Sequence, residues 1–333
     1  MSSGRKKLAI TLALPVTLWA AAALFYDVRV SWLRLPLAFL YGFGVIALWW
    51  RTKASRSGMA LWAGSVLLVI AWWFTLKPSN DRPWQPDVAQ LPWAEVRGDL
   101  VTLHNVRNFD YRTETDYVQR WETRVVNLQR VQGVDLFVTR WGAPLIAHVI
   151  VSFHFSDPAG QDQFVAMSIE ARKTVGQDYS ALRGFFRQYE LIYLVADERD
   201  VVRLRTNYRV GEFVRLYRTL LNPVDARNLF MQYLRWIEEQ RNHPHWYNAI
   251  TDNCSSSITS YLAAHHIGGF PWWDPRLLLN GMGEQMLYQD GDLATGGLSF
   301  TELTRQAAIN GTAQKLDQDP DFSIHIRQGR PGF

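Results

Sequence analysis

Three apolar runs without a charged residue, 9–25, 35–50 and 59–76, fill most of the first 79 residues of this 333-residue chain. A helix needs about 20 apolar residues to cross a bilayer, and these runs reach that length once their aromatic and polar flanks are counted. Three transmembrane helices are therefore expected at about 9–26, 34–50 and 58–76. Arg5, Lys6 and Lys7 before an apolar stretch also have the shape of a signal peptide, but no clean small-residue cleavage site follows and two further spans do. Cations in the short loops set the orientation. Arg5, Lys6, Lys7, Arg51, Lys53 and Arg56 fall on one side and Arg29 and Arg34 on the other, which puts the N-terminus in the cytoplasm and everything after residue 76 outside it.

The formal charge of +4 conceals a division of the chain. Residues 1–79 hold nine Lys/Arg and one acid, Asp27, whereas the remainder holds 26 cations against 30 acids, a net −4. A mildly acidic outer part argues against a nucleic-acid surface. Residues 80–99 read as a linker, 100–310 as one domain large enough for a substantial core, and 311–333, with two prolines and late glycines, as a loosely ordered tail.

Two strands carry the chemistry. Over 146–155 the odd positions Val149, Val151, Phe153 and Phe155 are apolar, and the even ones include His148, Ser152 and His154. Over 163–172, Val165, Met167 and Ile169 alternate with Ser168, Glu170 and Arg172. The segment 156–162 has turn chemistry, and centring the hairpin on Ala159 sets His148 opposite Glu170, within reach of a carboxylate–imidazole contact. Residues 191–196 and 201–205 read as further strands around a charged turn, Glu198-Arg199-Asp200, and Asn222 caps a helix that has Pro223 in its first turn.

Cys254 is the only cysteine. Asp252 or Asn253 can cap a helix whose first turn takes Cys254, where unpaired N–H groups and the helix dipole favour a thiolate. A lone thiol outside the cytoplasm reads in two ways, as a nucleophile or as a small buried apolar residue. The order of elements suggests an α+β domain, an antiparallel sheet with a cysteine helix against it.

A helix-capping cysteine beside a sheet histidine is the papain-like arrangement, and histidine before cysteine is the order of its permuted, NlpC-related and lecithin:retinol acyltransferase-like members. More closely, segments 104–112 (His104-Asn105-Val106-Arg107 to Arg112), 147–155, 168–172 (Ser168-Ile169-Glu170-Ala171-Arg172), 186–190, 197–201 and 247–256 resemble the Lnb-type family of bacterial lipoprotein N-acyltransferases. The resemblance implies a thiol acyltransferase of the bacterial inner membrane with its catalytic domain in the periplasm. It implies Cys254 as nucleophile and His148 as general base; Glu170 as the orienting carboxylate follows from the hairpin register. Backbone groups at Cys254 and Ser255 could form an oxyanion hole, with Asn253 and Ser168 in support. The expected partners are bacterial lipoproteins, the membrane, and an acyl donor that is either a phospholipid or a diacylglyceryl group. No cofactor and no metal is expected: the histidines at 243, 245, 265 and 266 lack a second cysteine.

The remaining candidates stay open between two readings. Asn105, Arg107, Asp110 and Arg112 could meet a lipid headgroup or form a structural ion-pair cluster. Tyr247 is a further substrate contact, and Trp272 and Trp273, in a Pro-Trp-Trp loop, could guide acyl chains or lie in the core. A cysteine hydrolase of the cell envelope and a non-catalytic scaffold are the competing functions.

Overall fold

The computed structural model describes residues 3–142, 147–157, 159–249 and 280–333. Asn253, Cys254, Ser255, Trp272 and Trp273, with the helix expected to hold the thiol, lie outside the described residues. The chain divides into two units, Met1–Ser79 with Tyr179–Glu190, and Asn80–Asp178 with Leu191–Phe333.

The first unit holds α1 (Ser3–Asp27), α2 (Ser31–Thr52) and α3 (Arg56–Thr75). All three have stretches long and apolar enough to cross a membrane. Buried Ala13, Ala20 and Ala23 give α1 a small-residue face that allows close helix approach, while Leu12, Leu40, Phe43, Leu67 and Leu68 remain exposed, as lipid-facing residues do. Trp62 on α3 donates to Thr17 Oγ1 on α1 at 2.9 Å. The turn into α3 uses Lys53 and Ala54 with positive φ, after which Ser55 accepts from the Gly58 N–H.

The second unit is an α+β domain built on a mixed sheet. Its strands are β1 (Trp93–Arg97), β2 (Leu100–Arg107), β5 (Trp121–Asn127), β6 (Val131–Arg140), β7 (Ala147–Ser156), β8 (Asp162–Arg172), β9 (Glu190–Ala196) and β10 (Phe213–Arg218). Their order is β1-β2-β9-β8-β7-β6-β10, with β5 also on β2, and a small hairpin of β3 (Asp110–Tyr111) and β4 (Tyr117–Val118) stands apart. β2 meets β9 in parallel and the other registered pairs are antiparallel. Helix α5 (Pro223–Asn242) covers one face. Asn222 caps it by accepting from the Val224 and Asp225 N–H groups, and Leu229, Phe230, Tyr233, Leu234 and Ile237 pack onto Val151, Phe153, Phe155, Val165 and Met167. Phe230 meets Phe153 and Phe155 edge to face at 5.0 and 5.1 Å.

Four expectations change. Residues 201–205 are not a strand: Asp197 caps helix α4 (Glu198–Arg203) by accepting from the Arg199 N–H, and the chain continues through a π-turn, Leu204–Tyr208. The tail is not loose. Short helices at Asn310–Lys315 and Phe322–His325 bury Ala313, Phe322 and Ile326 against Phe137, Ile150, Val201 and Leu216. Arg327 ties this segment down by donating to Asp135 at 2.8 Å and to both oxygens of Glu198 at 2.6 and 2.8 Å. The mixed face of the hairpin is therefore a second buried face, tolerable because its charged groups are paired. Residues 80–99, read as a linker, supply edge strand β1 and a turn locked by Arg172, which donates to the Val88 and Ala89 carbonyls and lies 4.2 Å over the Trp84 ring.

Candidate active site

The β7–β8 hairpin pairs Ile150 with Ser168, Ser152 with Ala166 and Ser156 with Asp162, which is the register centred on Ala159. Directly opposed side chains share a face, and the next pair along sets His148 beside Glu170. His148 Nε2 lies 2.8 Å from Ser168 Oγ and 3.6 Å from Glu170 Oε1. Ser168 donates its only proton to Glu170 Oε1 at 2.9 Å, so it must accept from Nε2–H. The neutral imidazole thus carries its proton on Nε2, and Nδ1 is the nitrogen with a lone pair to offer.

The carboxylate is itself held from behind. Arg205 donates to Glu170 Oε1 at 3.2 Å and to Glu212 at 3.1 Å. Arg209 continues the chain of charges with Glu212 and Glu114. Burial alone would raise Glu170, but the neighbouring His148 and the charges of Arg205 and Arg107 outweigh burial and hold the carboxyl well below the usual range. Glu170 is therefore an anion at any physiological pH. Arg205 arrives through the π-turn, a helical irregularity common at functional sites.

The other candidates divide. Arg107 is buried and donates to Asp200 through Nε at 2.9 Å and Nη2 at 2.8 Å, while Nη1 reaches the Asp87 carbonyl. Its charge acts on Glu170, but its donors hold the protein's own groups. Asn105 sits at the irregularity between β2 and β5 with φ +58° and donates to the Leu91 carbonyl at 2.8 Å. Arg112 is exposed on the small hairpin and pairs with Asp116, and Asp110 pairs with Arg203 at 2.6 Å. Each of the four thus has a partner of its own within the protein rather than one shared cluster. Tyr247 is half-buried against the main core, on a stretch fixed to β9 where the Leu191 N–H donates to the His245 carbonyl at 2.9 Å. That stretch leads toward Cys254. His154 is apart from the relay and bonds Asp162 at 2.6 Å. Arg205 and Glu212 escape sequence reasoning because 201–205 mimics a strand. Among the described residues no cluster of His, Cys, Asp and Glu could hold a metal ion.

Fold and site together define a protein with three N-terminal helices long and apolar enough to cross a membrane and a larger α+β domain carrying a histidine–hydroxyl–carboxylate relay on its sheet. Residues 117–281, from β4 to just past the cysteine segment, match the family model of the Lnb N-terminal periplasmic domain, and this stretch is a domain of that family. No curated protein and no solved structure matches the chain.

Proposed function

We propose that this protein is a lipoprotein N-acyltransferase that carries the acyl chain on Cys254 as a thioester. The observation that supports this most is the relay His148–Ser168–Glu170–Arg205 within a domain of the Lnb family. Nδ1 of His148 takes the thiol proton, and the thiolate attacks an acyl ester carbonyl of a lipid. The ester C–O bond breaks, the released alkoxide takes the proton back from His148, and the acyl group remains on sulfur. The free α-amine of a lipoprotein's N-terminal cysteine then attacks the thioester, forming an amide and returning the thiol. Glu170 stabilises the imidazolium that exists between the two proton transfers and keeps Nε2 turned away from the thiol, an orienting role. Backbone N–H groups at Cys254 and Ser255 hold the oxyanion, with Asn253 in support. The N-terminus lies in the cytoplasm and the acyltransferase domain in the periplasm, by the cation count of the short loops.

Mass spectrometry of a lipoprotein's N-terminal peptide tests this reading in cells that lack their own N-acyltransferase and express either this protein or its Cys254→Ser form. An amide-linked acyl group that depends on Cys254 is the expected result. A free amine with the wild-type protein expressed and inserted excludes the transferase and leaves a cysteine hydrolase or a non-catalytic scaffold.

A further inference from the structure

The segment Tyr179–Glu190 leaves the strands of the larger unit and belongs to the membrane unit. It is bolted to the last turns of α1 and α3. The Phe186 ring stacks on Tyr26 at 4.8 Å, and the Gln188 amide donates to the Tyr26 carbonyl and to Asp27 at 2.7 Å each. Arg187 donates to the Leu76 carbonyl and lies 3.9 Å over the Trp73 ring. Trp73 in turn donates to Asp27 at 2.8 Å.

What precedes these anchors is unusual for a water-facing loop. Tyr179, Leu182 and Phe185 are 43, 56 and 39 % exposed. The stretch runs through a 3-10 turn, Arg183–Phe185, with backbone bonds from Gly184 to Ser180, Phe185 to Leu182 and Phe186 to Arg183. At about three residues per turn, positions 182 and 185 line one face. Four residues of such a turn rise about 8 Å, so Leu182 lies no farther than that along the turn from the Phe186 anchor. The polar layer on each side of a bilayer is about 5–8 Å deep. With these helices crossing a bilayer, an apolar face held that close to their ends falls at the headgroup level, not in bulk water.

We propose that residues 179–185 form a wedge that inserts Leu182 and Phe185 into the lipid leaflet where α1 and α3 end, with exposed Arg183 facing the phosphate layer. The occupant of this face is lipid because the face is anchored at the end of the apolar helices where Phe25 and Phe74 are exposed and Trp72 and Trp73 are partly so. The proposal rests on the three helices crossing a bilayer and is independent of the chemistry at Cys254.

The test uses the full chain with Cys254→Ser and one introduced cysteine, labelled with an environment-sensitive fluorophore, in nanodiscs of phosphatidylethanolamine and phosphatidylglycerol with or without acyl-chain nitroxide lipid. Labels go at Leu182→Cys, at Leu40→Cys on the exposed face of α2, and at Glu238→Cys on the exposed face of α5. The expected result is nitroxide quenching at 182 at least about threefold stronger than at 238, approaching that at 40, since an interfacial segment sits about 5–10 Å deep. Phe185→Cys repeats the measurement should the 182 variant fail to insert. Quenching at 182 and 185 no stronger than at 238, with 40 quenched, overturns the wedge. A blue shift without lipid quenching assigns the face to a protein partner and overturns it as well, and an unquenched label at 40 removes the spans and the wedge with them.

Discussion

Ser168 carries one hydroxyl proton and spends it on Glu170, and that choice sets the tautomer of His148. The consequence separates two variants. Glu170→Gln removes the anion that stabilises the imidazolium, and we expect acyl transfer to fall about 10²-fold, within the range for an acid–base partner. Ser168→Ala deletes the intermediary, yet Nε2 already lies 3.6 Å from Glu170 and can close that gap by a small ring rotation. Its loss should be nearer tenfold. Mass-spectrometric rates of amide formation on a lipopeptide measure both, with thermal melts as a folding control, since Arg205 keeps Glu212 as a partner in either case. An unchanged rate in Glu170→Gln would reduce the carboxylate to a structural ion-pair member. The pairing of His148 with Glu170 was legible in the sequence because a period-2 alternation and a turn fix the register. The place of Ser168 between them was not, because two residues on the same face of one strand can each reach the histidine, and a register does not choose between them.

At the level of elements, what the sequence conveys depends on how local the cause is. The cap at Asn222 and the membrane helices are local and were legible; the pattern Val201-Val202-Arg203-Leu204-Arg205 was misleading. Its alternation suits a strand, but Asp197 caps the segment into a helix and a π-turn re-aims Arg205. The C-terminal segment misled for the opposite reason, since its prolines and glycines suggest slackness while its anchors, buried Phe322 and Ile326 and the arginine Arg327, have partners distant in sequence. Arg327, Asp135 and Glu198 come from three regions of the chain, and Ser152 adds a hydrogen bond to Glu198 at 2.5 Å. The carboxylates hold Arg327 above its ordinary pKa although burial opposes this. Arg327→Ala leaves buried Glu198 without its cation, while Asp135 keeps Arg218, and this costs about 3–5 kcal/mol. Urea unfolding of the full chain in detergent, followed by a probe in the larger unit, measures this; a loss below about 1 kcal/mol would show the tail to be peripheral.

The same pairing of buried charge extends over the larger unit and fixes how the molecule answers to acid. Two half-buried or buried carboxylates, Glu170 and Asp197, are held low. For each, burial pulls upward and is outweighed, by His148, Arg205 and Arg107 for Glu170 and by Arg124 and Arg199 for Asp197. Asp317 near the C-terminus is lowered as well, by hydrogen bonds from Gln318, Asn207 and Tyr208. A carboxyl whose folded pKa lies below its unfolded value contributes stability that is present in full above the unfolded pKa and disappears as pH falls through the folded one. The ordinary carboxylate range is about 4, so the stability these three carboxylates contribute should be constant from about pH 8 to pH 5 and be lost below about pH 4, whereas Asp200 and Asp292, raised by burial, act in the opposite sense. The membrane unit has its own source of stability, apolar helices in lipid, and should keep its helical signal through the same range. Circular dichroism and tryptophan emission of the full chain in nanodiscs, scanned over pH, resolve the two responses. A melting temperature that already falls between pH 8 and 6 would move the weight from these carboxylates to histidines, and with it the picture of a sheet face held together by arginine–carboxylate pairs.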